Sequence, residues 1–300
     1  MTNTVIIITG PTASGKTALA LQLAQHFDTE IISADSRQCY KELNIGVAKP
    51  TNEELRSVHH YFINSHSVHE EVNAGTFEEY ALLSIEKIFQ KNPVAIMVGG
   101  TGLYIKAFCD GMDNMPSIPI QLRNGIIAQY EVYGIEWLQN ELKERDPIFW
   151  QVAEQQNPQR LMRALEVLNH TGKSIATFRN NKKTKRPFHI IKIGLELPRE
   201  ALYQRINLRV DKMMKAGLEQ EVQSLIPLQH MNALQTVGYN ELFDYFANKI
   251  SLPKAIENIK TNTRHYAKRQ MTWFKRDAEI AWFAPDEFEK ILTWINKSRQ

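Results

Sequence analysis

Apolar runs and helical stripes alternate along the first hundred residues of the chain. Val5–Thr9 is a short β-branched run that ends at a glycine, which predicts a buried parallel strand. Thr17–His26 then places leucines and alanines at helical spacing. Glu30–Ser33 and Val94–Val98 are two further strand-like runs, each followed by a polar or glycine-rich turn. Strands that alternate with helices predict an α/β fold built on a parallel sheet.

Helical patterns dominate the rest of the chain. A proline-bearing connector follows Asp110, and the patterns as far as about Thr177 indicate a mostly helical insertion. The strand-like segment at 189–197 returns the chain to the sheet, and we expect helices from there to the end. The predicted organisation is therefore an α/β core of residues 1–112 plus 189–300, with a helical insertion domain at 113–188.

The segment between the first strand and the first helix is a phosphate-loop motif. Gly10, Gly15, Lys16 and Thr17 fit G-x-x-x-x-G-K-[ST] at a strand-to-helix junction. The glycines let backbone N–H groups surround an anion, and the helix N-terminus adds a favourable dipole. Lys16 supplies a positive charge, while the Thr17 hydroxyl suits a Mg²⁺ ion that bridges phosphate oxygens. The core is therefore expected to be P-loop NTPase-like, with a parallel sheet flanked by helices. The predicted diphosphate-binding residues are Gly10, Pro11, Thr12, Ala13, Ser14, Gly15, Lys16 and Thr17.

Two other polar residues follow predicted strands. Ligands of parallel sheets bind beyond the carboxyl ends of the strands, so the phosphate loop, Asp35 and the GGTG turn that contains Thr101 should gather at one edge. Asp35 could bind Mg²⁺, cap a turn, or accept a proton from a nucleophile. The sequence MVGG stands where many phosphate-loop ATPases carry a metal-binding acid, which argues against ordinary ATP hydrolysis.

Positive charge is unevenly distributed, although the net charge of the 300 residues is only +3. Lys173–Lys192 contains seven Lys or Arg and no acid, and Lys260–Arg276 contains six, interleaved with aromatic residues. Lys260, Arg264 and Lys268 repeat at helical spacing and should line one face. Solvated helix faces would explain either tract alone, but the two together favour nucleic acid.

Composition limits the location of the protein. The chain has no apolar run near the roughly 18 residues of a membrane span, and its first residues lack the basic leader of a secretory signal. Its two cysteines, Cys39 and Cys109, have no spacing typical of a disulfide framework or metal site. We expect a cytoplasmic protein without a membrane partner.

Several segments resemble, in order, the motifs of the tRNA dimethylallyltransferases, also called tRNA isopentenyltransferases. They are GPTASGKT, DSRQCYKELNIGVAKPT at 35–51, GGTGLY at 99–104, NPQRLMRALEV at 157–167, RINLRVDKMMKAGLEQEV at 205–222, QTVGYNE at 235–241 and TRHYAKRQMTWFK at 263–275. In that family the second segment usually reads close to DSMQVY, from which Arg37 and Cys39 depart. The zinc-finger extension of eukaryotic members is absent, which implies a bacterial-type enzyme.

The resemblance implies a reaction. Family members transfer the dimethylallyl group of dimethylallyl diphosphate to the exocyclic amine (N6) of the adenosine on the 3′ side of the tRNA anticodon, releasing diphosphate. The implied cofactor is Mg²⁺, the implied partner is the tRNA anticodon stem-loop, and a monomer is expected. By resemblance the catalytic residues are Asp35 as acceptor and base, Thr101, Lys16 and Arg209. The implied tRNA contacts are Asp35, Ser36, Arg37, Gln38, Thr101, Arg123, Gln159, Arg160, Leu161, Met162, Arg163, Gly238 and Tyr239.

Three alternatives share parts of this pattern. A small-molecule or nucleotide kinase would share the loop and a lid-like insertion, but would turn over ATP and need no RNA-sized basic surface. An enzyme that prenylates free adenine nucleotides would not need the basic tracts. An RNA-binding protein with the loop as a nucleotide switch would need no aspartate opposite the loop. Without the resemblance, Arg160 and Arg163 would be interpreted as ion-paired residues of a helix surface.

Overall fold

The computed structural model describes residues 2–179 and 183–299. Asn180, Asn181 and Lys182 of the first basic tract therefore lie outside the described residues. The chain divides into two compact units, one comprising residues up to Gly111 and from Lys185 onward, the other Met112–Thr184. They are called the core unit and the helical unit below.

The core unit contains a six-stranded sheet in which every observed pairing is parallel, with the strand order β3-β2-β4-β1-β5-β6. The four predicted strands are confirmed. The expectation of helices alone after the fifth strand is wrong, because Ile280–Phe283 pairs with the last part of β5. The strand bounds are β1 Thr4–Thr9, β2 Ile31–Ser33, β3 His60–Tyr61, β4 Val94–Val98, β5 His189–Leu195 and β6 Ile280–Phe283.

Strand β1 lies at the centre of the sheet, between β4 and β5, and is buried along its whole length. Val5 and Ile7 point into one hydrophobic core, while Ile6 and Ile8 point into another on the opposite face. Alternate side chains of a strand face opposite sides of a sheet, so a strand covered on both sides needs an unbroken apolar run. Each such side chain contributes about 1.5–3 kcal/mol relative to exposure.

Helices of the core unit cover both faces of this sheet. Helix α1 begins directly after Gly15, whose φ of 101° lets the chain turn from the phosphate loop into the helix. The other α-helices of this unit are α2 Asn52–Ser57, α3 Ala74–Phe89, α4 Gly102–Asp110, α8 Arg199–Lys215, α9 Leu218–Ser224, α10 Asn240–Phe246, α11 Leu252–Phe274 and α12 Phe288–Ser298, with α1 at Lys16–His26. Short 3₁₀ segments lie at Ile226–Leu228 and Asn232–Leu234.

The helical unit contains α5 Ile120–Arg145, α6 Pro147–Trp150, α7 Pro158–Thr171 and a 3₁₀ segment at Ile175–Phe178. Helix α5 is interrupted at Gly134, whose φ is 72°. Helix α7 begins with Asn157 accepting a hydrogen bond from the Arg160 backbone N–H, followed by proline at the first helical position. This start satisfies one free backbone donor and fixes where the NPQR segment becomes helical.

The structure also describes the helices that bear on membrane insertion and the two cysteines. Within residues 2–179 and 183–299, no helix combines the length and the apolar character needed to cross a bilayer. Cys39 and Cys109 are both buried and free, and burial raises the pKa of each thiol to about 12.

Candidate functional site

A cavity of about 770 Å³ opens at the carboxyl edge of the sheet in the core unit. Its walls come from the phosphate loop, the segment after β2, the GGTG turn after β4, and helices α8 and α11. The predicted meeting of three strand ends is confirmed: Lys16, Asp35 and Gly100 all line this one cavity. Because these segments are far apart in sequence, the sheet itself brings them together.

The phosphate loop owes its shape to a few backbone conformations. Gly10 has a φ of 138°, and a Cβ atom there would lie 2.6 Å from the Leu195 carbonyl oxygen. Ala13 lies in the left-handed region with a φ of 64°, and Gly15 has a φ of 101°. Side chains rarely tolerate such angles, so glycine is required where the loop also passes close to β5.

Two cations of this cavity, Lys16 and Arg209, share a single nearby carboxylate, Asp35, without forming an ion pair with it. Lys16 Nζ donates a hydrogen bond to the Pro11 carbonyl oxygen at 2.6 Å. Burial and the neighbouring Arg209 lower the pKa of Lys16 to about 7, against the opposing effect of Asp35. Burial likewise lowers the pKa of Arg209. Neither cation has an ion-pair partner among the described residues, and a diphosphate would supply the missing negative charge.

The loop also offers hydroxyl oxygens. The Ser14 Oγ is buried and has no hydrogen-bond partner within the described part of the chain. Thr17, in the first turn of α1, lines the cavity. Mg²⁺ prefers oxygen ligands and is commonly bound by few protein groups together with substrate phosphates and water. The donors present therefore fit such an ion, with the Thr17 hydroxyl as its protein ligand.

Asp35 fills one of the roles that the sequence left open, that of capping a turn. Its Oδ1 accepts hydrogen bonds from the backbone N–H groups of Arg37 at 2.9 Å and Gln38 at 3.3 Å, so the side chain caps the turn that follows β2. The same residue lines the cavity opposite the phosphate loop. A carboxylate fixed by its own turn is already oriented to act on a bound ligand.

Thr101 connects the GGTG turn to the Asp35 segment. Its Oγ1 accepts a hydrogen bond from the Ser36 backbone N–H at 3.0 Å and donates one to Ser36 Oγ at 3.4 Å. Its own backbone N–H donates to the Ala34 carbonyl at 3.3 Å. The cavity wall at this turn is formed by Gly99 and Gly100. Thr101 therefore supports the segment that carries Asp35 and Ser36.

Gln38 has its amide engaged within the protein. Its Nε2 donates to the Ala48 carbonyl at 3.0 Å and to the Val47 carbonyl at 3.3 Å. Its Oε1 accepts from Ser33 Oγ at 3.0 Å. Gln38 lines the cavity together with Val47 and Ala48, and the predicted tRNA contact of Gln38 stays a prediction.

The predicted contact residues Gly238 and Tyr239 lie next to Gly46, which also lines the cavity. Gly238 lines the cavity, and its backbone N–H donates to Glu241 Oε2 at 2.7 Å. Tyr239 is fully buried, with its hydroxyl donating to Glu221 Oε1 at 2.7 Å. The Glu221 carboxylate also accepts the backbone N–H of Gly46 at 3.1 Å. The Tyr239 side chain is therefore part of the scaffold, and Gly238 is the residue of this pair that lines the cavity.

The other predicted tRNA contacts lie in the helical unit, where their arginines are ion-paired. Arg163 contacts Glu166 at 3.2 Å, and Arg123 contacts the same carboxylate at 3.6 Å. Arg160 contacts Glu154 at 2.8 Å. Gln159 is exposed, whereas Leu161 and Met162 are buried in the core of this unit. The side chains that can reach outward are therefore the three arginines and Gln159.

The second basic tract is α11, and part of its charge faces the protein. Lys260 forms an ion pair with Asp211 of α8 at 2.6 Å, and Arg264 donates to Asn207 Oδ1 at 2.8 Å. Lys268 is exposed. The spacing of these three residues does place them on one face, but the first two bind α8 instead of presenting free charge.

Arg205 and Gln270 are two of the cavity residues that the sequence-based prediction did not include. Arg205 lies one helical turn before Arg209 on α8 and lines the cavity, with its Nη1 3.9 Å from where a Cβ of Gly15 would lie. The i, i+4 spacing of two arginines in RINLR was the available signal. Gln270 of α11 also lines the cavity, and a lone glutamine in a basic helix gives no comparable signal.

Known proteins resemble this chain over almost its whole length. A family profile described as IPP transferase matches residues 38–277. The tRNA dimethylallyltransferase of Cytophaga hutchinsonii is 48% identical over 296 residues, which is 99% of this chain and 97% of that protein. That of Christiangramia forsetii is 49% identical over 97% of both chains. The chain belongs to the IPP transferase family, the tRNA dimethylallyltransferases.

Solved structures agree with this assignment. The full-length tRNA isopentenylpyrophosphate transferase of Bacillus halodurans is 32% identical, with a TM-score of 0.73 and coverage of 99% of this chain and 96% of that one. A eukaryotic dimethylallyltransferase acting on tRNA is 28% identical, with a TM-score of 0.77 and coverage of 96% and 75%. This IPP transferase thus has the expected phosphate-loop type of fold.

The family profile begins at Gln38, so the phosphate loop and Asp35 of this IPP transferase precede the matched segment. The two curated relatives nevertheless align over 296 and 292 residues and leave little of the chain unmatched. Both halves of the cavity, the loop before residue 38 and the walls after it, therefore belong to the region of similarity.

Proposed function

We propose that this chain transfers the dimethylallyl group of dimethylallyl diphosphate to N6 of the adenosine on the 3′ side of the tRNA anticodon, with release of diphosphate. One observation carries the proposal: the phosphate loop with Lys16, Arg209 of α8 and the Asp35 carboxylate all line a single cavity. The curated relatives, which are named tRNA dimethylallyltransferases, support it.

The first half of the chemistry is departure of diphosphate. The bond between the allylic carbon and its oxygen breaks, the carbon develops positive charge, and the leaving oxygens gain negative charge. Lys16, Arg209 and the backbone N–H groups of the phosphate loop stabilise that negative charge in a site where neither cation forms an ion pair with a described residue. Mg²⁺, held by Thr17 and the diphosphate oxygens, would neutralise further charge on the leaving group.

The second half is attack by the adenine amine. The nitrogen forms a bond to the allylic carbon and must then lose a proton. Asp35 is placed to accept a hydrogen bond from that amine and to take its proton, because its turn holds the carboxylate at the cavity wall opposite the cations. The phosphate loop therefore binds a leaving group, and no bond to phosphorus is broken.

The target base has to leave its stack to enter the cavity. An unpaired anticodon loop makes this inexpensive and leaves base edges accessible. Ser36, Arg37 and Gly238 line the cavity and are placed to contact the nucleotide. Arg123, Arg160 and Arg163 of the helical unit can bind RNA phosphates by exchanging their carboxylate partners for phosphate oxygens.

Incorporation of labelled dimethylallyl diphosphate into RNA tests the proposal. The protein is incubated with unmodified tRNA, Mg²⁺ and the radiolabelled diphosphate, and label in RNA is counted. Parallel reactions replace tRNA with AMP, or dimethylallyl diphosphate with γ-labelled ATP. We expect label in tRNA only. Label in AMP without label in tRNA would indicate an enzyme of free nucleotides, and phosphate transfer from ATP without prenylation would indicate a kinase.

We further propose that the enzyme acts as a monomer in the cytoplasm. One chain supplies every residue of the cavity, and both cysteines are free thiols, as a reducing compartment favours. Light scattering on the purified protein, together with a rate that stays proportional to protein concentration, tests the monomer. A dimer that dissociates with loss of activity would contradict it.

A further inference from the structure

Three glycines of the GGTG turn each lie against a close neighbour. A Cβ on Gly99 would lie 2.1 Å from the Ala34 carbonyl oxygen, and a Cβ on Gly102 would lie 2.2 Å from Trp273 Nε1. A Cβ on Gly100 would lie 2.2 Å from Gln270 Nε2. The turn is thus packed between the Asp35 segment on one side and helix α11 on the other.

Gln270 contributes more than packing. Its Nε2 donates a hydrogen bond to the Gly100 carbonyl at 2.9 Å, and its Oε1 accepts one from the Thr12 backbone N–H at 2.8 Å. Thr12 belongs to the phosphate loop, and Gln270 is only 7% exposed. One amide therefore joins the phosphate loop to the GGTG turn, and the next residue, Thr101, holds the Ser36 backbone.

The chemistry of both contacts selects an amide. The Thr12 N–H needs an acceptor and the Gly100 carbonyl needs a donor, so a carboxylate or an apolar side chain of similar size would satisfy at most one of them. A buried polar group without a partner is costly. Glutamine is therefore favoured at this position by its two hydrogen bonds and not by apolar packing.

We propose that Gln270 is a positioning residue, which fixes the separation between the leaving diphosphate and the nucleophile held near Asp35. The proposal rests on the function argued above. The phosphate loop holds one reactant, and the chain Gly100–Thr101–Ser36 sets the position of the acceptor for the other. Release of this link would leave each half-site formed but would alter the distance between the reacting atoms, to which transfer rates are steeply sensitive.

The variant Gln270→Met removes both hydrogen bonds and keeps most of the volume. We expect kcat for tRNA prenylation to fall by about 10- to 100-fold, as for a misplacement of up to about 1 Å. The dissociation constants of inorganic diphosphate and of tRNA should stay within about threefold, since no group that binds either is removed. Gln223→Met, at an exposed position of α9, is the matched control and should behave as the wild type.

A second variant breaks the same link from its other end. In Gly100→Ala the new methyl group displaces the Gln270 amide, whose end lies 2.2 Å away. We expect a similar loss of kcat, and the double variant Gly100→Ala/Gln270→Met should lose little more than either single one. This measurement keeps the proposal testable if Gln270→Met is unstable.

The outcomes are separable from those of the proposed function. A wild-type protein that prenylates no tRNA would reject the function itself. With an active wild type, an unchanged kcat in Gln270→Met would reject the positioning role. A loss of diphosphate affinity as large as the loss of kcat would make Gln270 a binding residue instead, and multiplicative losses in the double variant would show that the two positions act separately.

Discussion

The cations of the cavity and those of the helical unit differ in their surroundings. Lys16 and Arg209 are half-buried, have pKa values lowered by desolvation, and form no ion pair with any described residue. Arg160 and Arg163 lie at the surface, and each contacts a carboxylate. Burying an uncompensated charge is expensive, whereas a surface pair is worth about 0–1 kcal/mol and exchanges readily. The cations of the cavity are arranged to suit a bound anion. The ion pairs of the helical unit can instead exchange a carboxylate for another anionic partner.

Substitution of Asp35 should have the largest effect on the rate of prenyl transfer. Asp35→Asn keeps an oxygen for the backbone N–H groups of Arg37 and Gln38, so the turn should survive while the base is lost. We expect kcat for prenyl transfer to fall by about 10² to 10⁴, the contribution of a general base. Label incorporation and a tRNA binding titration measure the two quantities.

The control for this variant is Asp28→Asn, an exposed aspartate beyond α1 with a φ of 50° that asparagine adopts equally well. It should leave rate and affinity unchanged. If Asp35→Asn weakened tRNA binding as strongly as it slowed transfer, Asp35 would be a recognition residue. This part of the cavity would then serve tRNA binding, the role proposed for the arginines of the helical unit.

Substitution of Lys16 should have the second-largest effect on this rate. Lys16→Met should lower kcat by about 10² to 10³, as does loss of one group that stabilises developing negative charge. Because the pKa of Lys16 is lowered to about 7, the amine is mostly neutral at pH 8 in the free protein. Bound diphosphate favours the charged form and raises that pKa, so binding should take up close to one proton, and affinity should fall as pH rises from 7 to 9.

Calorimetry in two buffers of different ionisation enthalpy measures this proton uptake. The ligand also titrates, so the informative quantity is the difference between the wild type and Lys16→Met at the same pH. Equal uptake by the two proteins would mean that Lys16 is already charged in the free enzyme. The free cavity would then already stabilise the charged amine, against the contrast drawn with the helical unit.

Most of the sheet could be predicted because its central strands are unbroken apolar runs. Strand β1 and its neighbours are buried on both faces, which requires such runs. Ile280–Phe283 was missed because it has only four residues, three of them partly exposed, and its pairing partner lies 88 residues earlier in the register Ile193–Ala281. So short an edge strand is stabilised by contacts that its own sequence does not encode.

Some features of the site could likewise be predicted from the sequence, whereas others could not. Strand ends place the phosphate loop, Asp35 and the GGTG turn at one edge, a rule that sequence can apply. The pairing of Arg163 with Glu166 follows from helical spacing. The pairing of Lys260 with Asp211 and the link from Gln270 to Thr12 join distant segments, so only the fold reveals them.

Charge changes in the helical unit should have a smaller effect, confined to RNA binding. Arg160→Gln should weaken tRNA binding several-fold and reduce the slope of log K against log salt by about one. Glu154→Gln frees Arg160 from its carboxylate and should tighten binding by about two- to fivefold, the range of a surface ion pair. Transfer rates at saturating tRNA should not change.

Binding titrations across a series of salt concentrations measure both variants. The opposite signs expected of Arg160→Gln and Glu154→Gln make the test specific, because damage to the fold would weaken binding in both. An unchanged salt slope in Arg160→Gln would remove this arginine from the RNA surface. The carboxylate pair would then be a feature of the helix surface alone.

The smallest effect on function is expected at Tyr239, a cavity-side residue that the resemblance placed among the tRNA contacts. Tyr239→Phe removes the hydroxyl that donates to Glu221, which also accepts the backbone N–H groups of Ile45 and Gly46. We expect a loss of about 1–2 kcal/mol in the free energy of unfolding, the cost of leaving a buried acceptor with one partner fewer. Affinity for tRNA should change by less than about twofold, since the ring is fully buried. Denaturant unfolding and tRNA titration of the same preparation measure both. A clear loss of RNA affinity at unchanged stability would show that the hydroxyl acts on RNA, and that polar groups behind the cavity wall take part in recognition as the arginines of the helical unit do.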